Sequence, residues 1–271
     1  MSDKISSHVP GKPDSVLEGI HRLIDAAESE PANFPLTLLY NEGWLLRLVL
    51  DWYSRHKLTD HPLLFQRRAT WFSEALLPSP FRPRHRGDTR AEARTHADGI
   101  IGQFSVGKSG KADARLLADA TQLIVTEAKI YSPLSGGTRN APGFDQAARN
   151  VACITELLSR ANRQPSQMTS LAFFVVAPEV QIKTGVFAQK LDKAAIKAAV
   201  QARAEAFSSE LGGWVDEWCF PTLEAIRIEA LSWESLIGYT ASNDPEAFQS
   251  LQAFYERCLM HNEPGIRIVP A

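Results

Sequence analysis

The spacing of hydrophobic and polar residues predicts helices over the first third of the chain. Leu, Ile, Val and Trp recur at helical spacing over 14–29 and 35–56. The segment 62–77, PLLFQRRATWFSEALL, begins with a proline, which suits the first turn of a helix, and is also predicted to be helical. The segment 78–95 holds three prolines, many arginines and few apolar residues, and this pattern predicts a basic loop.

Short apolar or alternating segments after this loop predict a β-sheet. The predicted strands lie at 97–106, 111–118, 121–130, 171–177 and 225–231. The predicted helices lie at 143–162, 188–210 and 244–260, the last with Asp244 as its cap and Pro245 in its first turn. The first three strands are joined by short connections, which allow an antiparallel meander. We therefore expect an α/β fold with a mixed central sheet of about five strands, flanked by helices, and extra helices at both ends.

This element order predicts one domain over 1–271 with three parts. They are a helical N-terminal part with the basic loop (1–96), a core (97–177), and C-terminal helices with one strand (178–271). With 44% hydrophobic residues the chain has enough apolar material for a packed interior. No segment predicts a signal peptide or a membrane span.

Net charge and cysteine spacing limit the partners, structural metal sites and compartment that we expect. The net charge is −2, so a nucleic-acid partner would have to meet a local basic patch. Cys153, Cys219 and Cys258 are far apart, a spacing that indicates neither a zinc site nor a disulfide framework. These features are typical of a cytoplasmic protein.

Candidate chemistry lies in the stretch LIVTEAKIYS, residues 123–132. Side chains alternate along a strand, so Glu127 and Lys129 share one face. If the preceding turn centres on residues 119–121, Asp113 lies opposite or diagonal to Glu127, whereas Asp98 lies nearer Asp119 and ranks second. Two converging carboxylates require a cation, and hard oxygen ligands suit Mg²⁺ or Mn²⁺. Lys129 would orient or deprotonate a water molecule.

Asp113 followed by Glu127-Ala128-Lys129 resembles the motif of the PD-(D/E)XK nuclease superfamily, over roughly residues 36–177. The resemblance implies a restriction-endonuclease-like core and metal-dependent hydrolysis of phosphodiester bonds, with DNA as the expected substrate. It implies Asp113, Glu127 and Lys129 as catalytic residues. The expected Mg²⁺ or Mn²⁺ ligands are Asp113, Glu127, the carbonyl of Ala128 and Glu42. Members of the superfamily serve in restriction, repair, recombination and phage defence, and many share the absence of a proline before the motif aspartate.

Substrate contacts are expected from two further groups of residues. Gln146 and Arg149, in DQAARN on the helix after the motif strand, match family features. In and after the basic loop, Arg82, Arg84, Arg86 and Lys111 are predicted to contact phosphates, and the loop is predicted to be mobile without DNA. Cutting both strands with one site per chain would require a homodimer.

Each of these signals has an alternative interpretation. Glu127 and Lys129 could be an exposed ion pair on an edge strand, and the arginines could serve solubility. The stretch GQFSVGKS, residues 102–109, matches the phosphate-binding P-loop pattern, which has to open a helix. The alternative functions are therefore a nucleotide-binding enzyme and a non-catalytic nuclease-like binding protein.

Overall fold

The structure is a computed structural model that describes residues 16–26, 33–56, 58, 60–92, 94–107, 112–138 and 141–264. The α-helices are α1 Val16–Asp25, α2 Glu42–Arg55, α3 Gln146–Arg160, α4 Glu179–Lys183, α5 Lys193–Phe207, α6 Gly212–Trp214, α7 Phe220–Ala225, α8 Trp233–Thr240 and α9 Pro245–Asn262. The strands are β1 Thr70–Leu77, β2 Thr95–Gly102, β3 Phe104–Val106, β4 Ala114–Leu116, β5 Gln122–Ala128, β6 Gly137–Thr138, β7 Ala141–Pro142, β8 Ser170–Ala177 and β9 Arg227–Ser232. Short 3₁₀ turns lie at Leu36–Leu38, Pro165–Gln167 and Ser209–Leu211, and a π-helical turn lies at Val215–Cys219.

Five strands form one mixed sheet in the order β1-β2-β5-β8-β9. β2 is antiparallel to both β1 and β5, whereas β5, β8 and β9 are parallel. Parallel neighbours require a crossover, which α3 provides between β5 and β8 and the helices from α4 to α7 provide between β8 and β9. The predicted α/β class, with a mixed sheet of about five strands flanked by helices, is confirmed.

Two hydrophobic clusters cover the two faces of this sheet. Leu123 and Phe173 belong to the cluster under α3 and α5, whereas their neighbours Ile124 and Phe174 belong to the cluster under α2, α8 and α9. The alternation follows from the strand geometry, which points successive side chains to opposite faces. β5 and β8 are therefore buried on both faces, and this explains why their sequences are continuous apolar runs.

Within the described residues, no helix is long and apolar enough to cross a membrane. The helices predicted at 35–56, 143–162, 188–210 and 244–260 are present as α2, α3, α5 and α9. The predicted cap of α9 is also confirmed, because the Asp244 side chain accepts a hydrogen bond from Ala247 N and Pro245 opens the helix.

The predicted helix at 62–77 is wrong, because its second half is the edge strand β1. Trp71 packs against one hydrophobic cluster and Phe72 against the other, as neighbouring residues of a strand do. Pairing with β2, which matches Trp71 to Ile101, outweighs the local helical pattern. The sheet therefore begins inside the part of the chain predicted to be helical.

The predicted three-stranded meander is also wrong. The segment 97–106 divides at Gly102, whose φ is +149 and whose Cβ position would collide with the carbonyl oxygen of Gln122. β2 lies before this break and pairs directly with β5. β3 and β4 form a separate two-stranded hairpin beside the main sheet.

Candidate functional site

Glu127 and Lys129 lie at the carboxyl end of β5, the middle strand of the five. Lys129 Nζ donates a hydrogen bond to Glu127 Oε1 at 2.7 Å. The two side chains are only 12% and 3% exposed. The alternative interpretation, an exposed ion pair on an edge strand, is therefore wrong.

The register of β2 against β5 brings Asp98 to this pair. Gly99 faces Thr126, so Asp98 follows at the level of Glu127, where the paired ladder has ended. Asp98 Oδ2 accepts a hydrogen bond from Ala128 N at 2.8 Å. The carboxylate thus takes the place of a main-chain acceptor as the two strands separate. Asp98, ranked second from the sequence, is the aspartate beside Glu127.

The prediction that Asp113 lies beside Glu127 is wrong. Asp113 directly precedes β4, whose partner is β3, and its own ion pair is with Arg115 at 3.2 Å. It also forms an isolated bridge with Leu76 of β1. Because β4 and β5 are not neighbours in a sheet, the hairpin arithmetic that placed Asp113 opposite Glu127 does not apply.

Helix α3 supplies the other polar neighbours of Glu127. Gln146 Nε2 donates to Glu127 Oε1, and Asn150 Nδ2 donates to Glu127 Oε2 at 3.4 Å. Asp145 caps the helix, so that Gln146 in the first turn and Asn150 one turn later face the strand end together. The sequence prediction placed Gln146 near the site and missed Asn150, although its spacing of four from Gln146 was a usable signal.

Burial dominates the electrostatics of this group. Burial and then the Asp98 carboxylate raise the pKa of Glu127 to about 8, although Lys129 acts in the opposite direction. Two carboxylates therefore share one buried cation, Lys129, and a further cation would relieve their repulsion.

The group opens into a cleft of about 460 Å³ between the sheet and the start of α2. Its lining residues are Leu38, Asn41, Glu42, Gly43, Trp44, Arg47, Glu74, Asp98, Glu127, Ala128 and Lys129. Glu42, predicted as a ligand, is thus in the same cleft as Glu127. Asn41 Oδ1 accepts from Trp44 N at 3.0 Å and fixes the beginning of α2 beside the cleft.

Glu74 is a further carboxylate of the cleft that sequence reasoning missed, because its segment was predicted to be a helix. Its φ is +59, a left-handed conformation that is uncommon for a residue with a side chain. A carboxylate oxygen of Glu74 lies 3.6 Å from Arg47 Nη2 of α2. Backbone conformations of this kind cluster at functional sites.

The site offers oxygen atoms of the kind that hard divalent cations prefer as ligands. Asp98 and Glu127 provide carboxylates, and the Ala128 carbonyl points toward β2 together with its own N–H, since both groups of a strand residue point to one side. The Asn150 Oδ1 atom is buried and has no hydrogen-bond partner among the residues that the structure describes, which adds an oxygen beside Glu127. Over the described part of the chain, no group of three or more His, Cys, Asp and Glu side chains is arranged to hold a metal ion. A cation here would draw its remaining ligands from the main chain and water, as Mg²⁺ commonly does.

Two arginines of the basic loop have partners elsewhere in the protein. Arg82 Nη2 lies 3.2 Å from a carboxylate oxygen of Glu156. Arg84 Nη1 donates to the carbonyl of Phe207 at 2.7 Å, because the last carbonyls of α5 have no helical partner. Arg86 is exposed. Contact of these arginines with phosphate stays a prediction.

Arg149 belongs to a buried charge cluster outside the cleft lining. Its Nε donates to Glu92 Oε2 at 3.1 Å, and Arg203 Nη2 of α5 lies 3.7 Å from the other oxygen of Glu92. The cluster ties the end of the basic loop to α3 and α5. The structure therefore gives Arg149 an internal partner and does not place it with Gln146 beside Glu127.

The described part of the P-loop pattern, residues 102–107, contains strand β3. A helix has to follow a P-loop, whereas the described residues after this pattern form strand β4, in which Leu116 pairs with Phe104. Lys108, Ser109 and Lys111 lie outside the described residues. The nucleotide-binding alternative therefore loses the structural context on which it depends.

In comparisons with known proteins, no family model, no curated protein and no solved structure matches the chain. The resemblance to PD-(D/E)XK nucleases thus stays a prediction. A functional conclusion has to rest on the geometry around Glu127.

Proposed function

We propose that this protein is a divalent-metal-dependent nuclease with a restriction-endonuclease-like core, and that DNA is its substrate. One observation carries the proposal: Asp98, Glu127 and Lys129 converge where two central strands separate. Asp98 takes the role that the sequence had given to Asp113. The strand order and the α3 crossover support the same reading.

Asp98, Glu127 and the Ala128 carbonyl would hold the metal, with Glu42 as a further carboxylate in the cleft. When bound, Mg²⁺ or Mn²⁺ neutralises the clustered carboxylates and stabilises charge that develops on the phosphoryl oxygens. Gln146 and Asn150 orient the Glu127 carboxylate through their amide groups.

Lys129 would hold the attacking water, because its ammonium lies at the cleft and is kept in place by Glu127. The oxygen of this water bonds to phosphorus, and the bond from phosphorus to one sugar oxygen breaks. One water molecule is consumed, and the products are a phosphate monoester and a free hydroxyl group.

Two aspartate variants provide the sharpest test. Asp98→Asn and Asp113→Asn are the same chemical change, at a residue beside Glu127 and at a residue of the separate hairpin. Linear duplex, circular duplex, single-stranded DNA and RNA are incubated with Mg²⁺, Mn²⁺ or EDTA. We expect metal-dependent cleavage that Asp98→Asn removes and Asp113→Asn leaves intact.

Three outcomes contradict parts of this proposal. Full cleavage by Asp98→Asn would refute the metal-ligand assignment. Loss of cleavage in Asp113→Asn alone would support the sequence prediction that Asp113, and not Asp98, is the catalytic aspartate. DNA binding without cleavage by the wild-type protein would favour a non-catalytic binding protein.

A further inference from the structure

The edge of the cleft carries an exposed aromatic side chain. Trp44, in the first turn of α2, is 45% exposed and lines the same cleft as Glu127 and Lys129. Leu38, which also lines this cleft, is 63% exposed. A group of large apolar side chains in water beside a polar site indicates a surface that meets a ligand.

Trp44 is held next to a cation. The Arg47 guanidinium carbon lies 5.0 Å from the centroid of the Trp44 ring, on the following turn of α2. Arg47 also lies 3.6 Å from Glu74, which orients it toward the cleft. An aromatic plane and a positive charge thus stand side by side, within one cleft with the proposed metal ligands.

We propose that Trp44 is a stacking platform for an unpaired nucleobase, and that the site therefore acts on single-stranded nucleic acid, unpaired ends included. This inference rests on the proposed nuclease function and names its substrate class. Bases of a single strand have free faces for an aromatic ring, whereas bases inside a duplex are already stacked on one another. Arg47 contacts a phosphate next to the stacked base, and the nucleic-acid strand then continues to Lys129.

A nucleobase explains this combination better than a protein partner does. The core of a protein-docking surface is depleted of acidic residues, whereas the cleft that Trp44 and Arg47 line also has four carboxylates in its lining, Glu42, Glu74, Asp98 and Glu127. Aromatic side chains interleaved with cations are typical of grooves that bind single strands.

The test measures binding in a Lys129→Ala background with Mg²⁺, so that the probes stay intact. Three labelled probes of equal length are compared by fluorescence anisotropy: an oligothymidylate, a backbone in which all bases are absent, and a duplex. Trp44→Ala is expected to weaken binding of the oligothymidylate about tenfold or more, and to leave the abasic probe unchanged. Trp44→Phe should retain most of the affinity. Leu48→Ala, which truncates another exposed apolar side chain of α2, should have no effect.

Each outcome separates the inference from the nuclease proposal. Equal weakening for the oligothymidylate and the abasic probe, or tighter binding of the duplex than of the single strand, would overturn the stacking platform. If Trp44→Ala binds the oligothymidylate normally while the wild-type protein cleaves DNA, the stacking inference fails and the nuclease stands. If the wild-type protein cleaves nothing but Trp44→Ala loses binding only to the base-containing probe, the platform stands and the nuclease fails.

Discussion

The carboxyl group of Glu127 should make the folded protein less stable as the pH rises. Its pKa is raised from 4.5 to about 8, first by burial and then by Asp98. Between pH 4.5 and about 8 the folded state keeps a proton that the unfolded chain has released, so the free energy of unfolding falls as the pH rises. The contribution is fully present below pH 4.5 and is lost as the pH rises through about 8.

The size of this change in the free energy of unfolding follows from the pKa shift of Glu127. One proton of difference is worth about 1 kcal/mol per pH unit. Between pH 4.5 and about 8 the sum is about 2 to 4 kcal/mol, the lower figure allowing for relaxation and water around the charged group. This is a large part of the stability of an ordinary domain.

The variant Glu127→Gln removes the titrating group and keeps the shape of the side chain. Urea unfolding in EDTA is measured across this pH window for wild type and variant. The pH slopes are compared rather than the absolute stabilities, because Lys129 loses its ion-pair partner in the variant. We expect the wild-type stability to fall more steeply, by about 1 kcal/mol per pH unit. Equal slopes would refute the burial argument. Added Mg²⁺ should stabilise the wild type near pH 8 and have less effect on the variant.

Three further predictions test the strands that build the cleft and the helices behind them. Gly99→Ala should lower the free energy of unfolding in urea by about 1 to 3 kcal/mol, because a Cβ there would lie 2.9 Å from a methyl carbon of α2. Gly136→Ala is the matched control and should be near neutral, because no heavy atom of the described residues lies within 4 Å of a Cβ there. Burial and then Arg227 lower the pKa of His61 from 6.5 to about 4, so its contribution is present above pH 6.5 and lost as the pH falls to about 4. After a discount for partial exposure of His61, the free energy of unfolding should fall by about 2 kcal/mol over this pH range. His61→Gln should abolish this pH dependence. Glu74→Gly should be more stable than Glu74→Ala by about 1 kcal/mol, because only glycine adopts the φ of +59 without strain; the reverse order would remove the case for strain.

Local patterns were sufficient for the part of the site that lies on one strand. The alternation of side chains placed Glu127 and Lys129 together, and the apolar run before them indicated a buried strand, as β5 is. Gln146 came from the family resemblance, which placed it on the helix after the motif strand. These inferences required no knowledge of which strands pair.

The identity of the aspartate depended on pairing between distant segments. β4 is close to β5 in sequence, but a strand in the middle of this sheet has to present apolar side chains to both faces. β4 cannot do so, because Arg115 between its two apolar residues is exposed. β2 offers Ile100 and Ile101, one for each cluster, and takes the position beside β5. Burial on both faces, rather than short connection length, selected the partner.

The cleft lies where the pairing of β2 with β5 ends and the pairing of β1 with β2 skips one position. β2 and β5 are paired up to Gly99 and Thr126, and Asp98 lies beyond the last pair. On the other side of β2, Ser73 faces Gly99 and Ala75 faces Ala97, while Glu74 between them is unpaired and left-handed. The side chains at these unpaired positions, Glu74 and Asp98, are carboxylates. The main-chain N–H of Ala128 donates to Asp98. Irregular backbone of this kind clusters at functional sites, so the skipped position at Glu74 and the end of the β2–β5 pairing support the location of the proposed site.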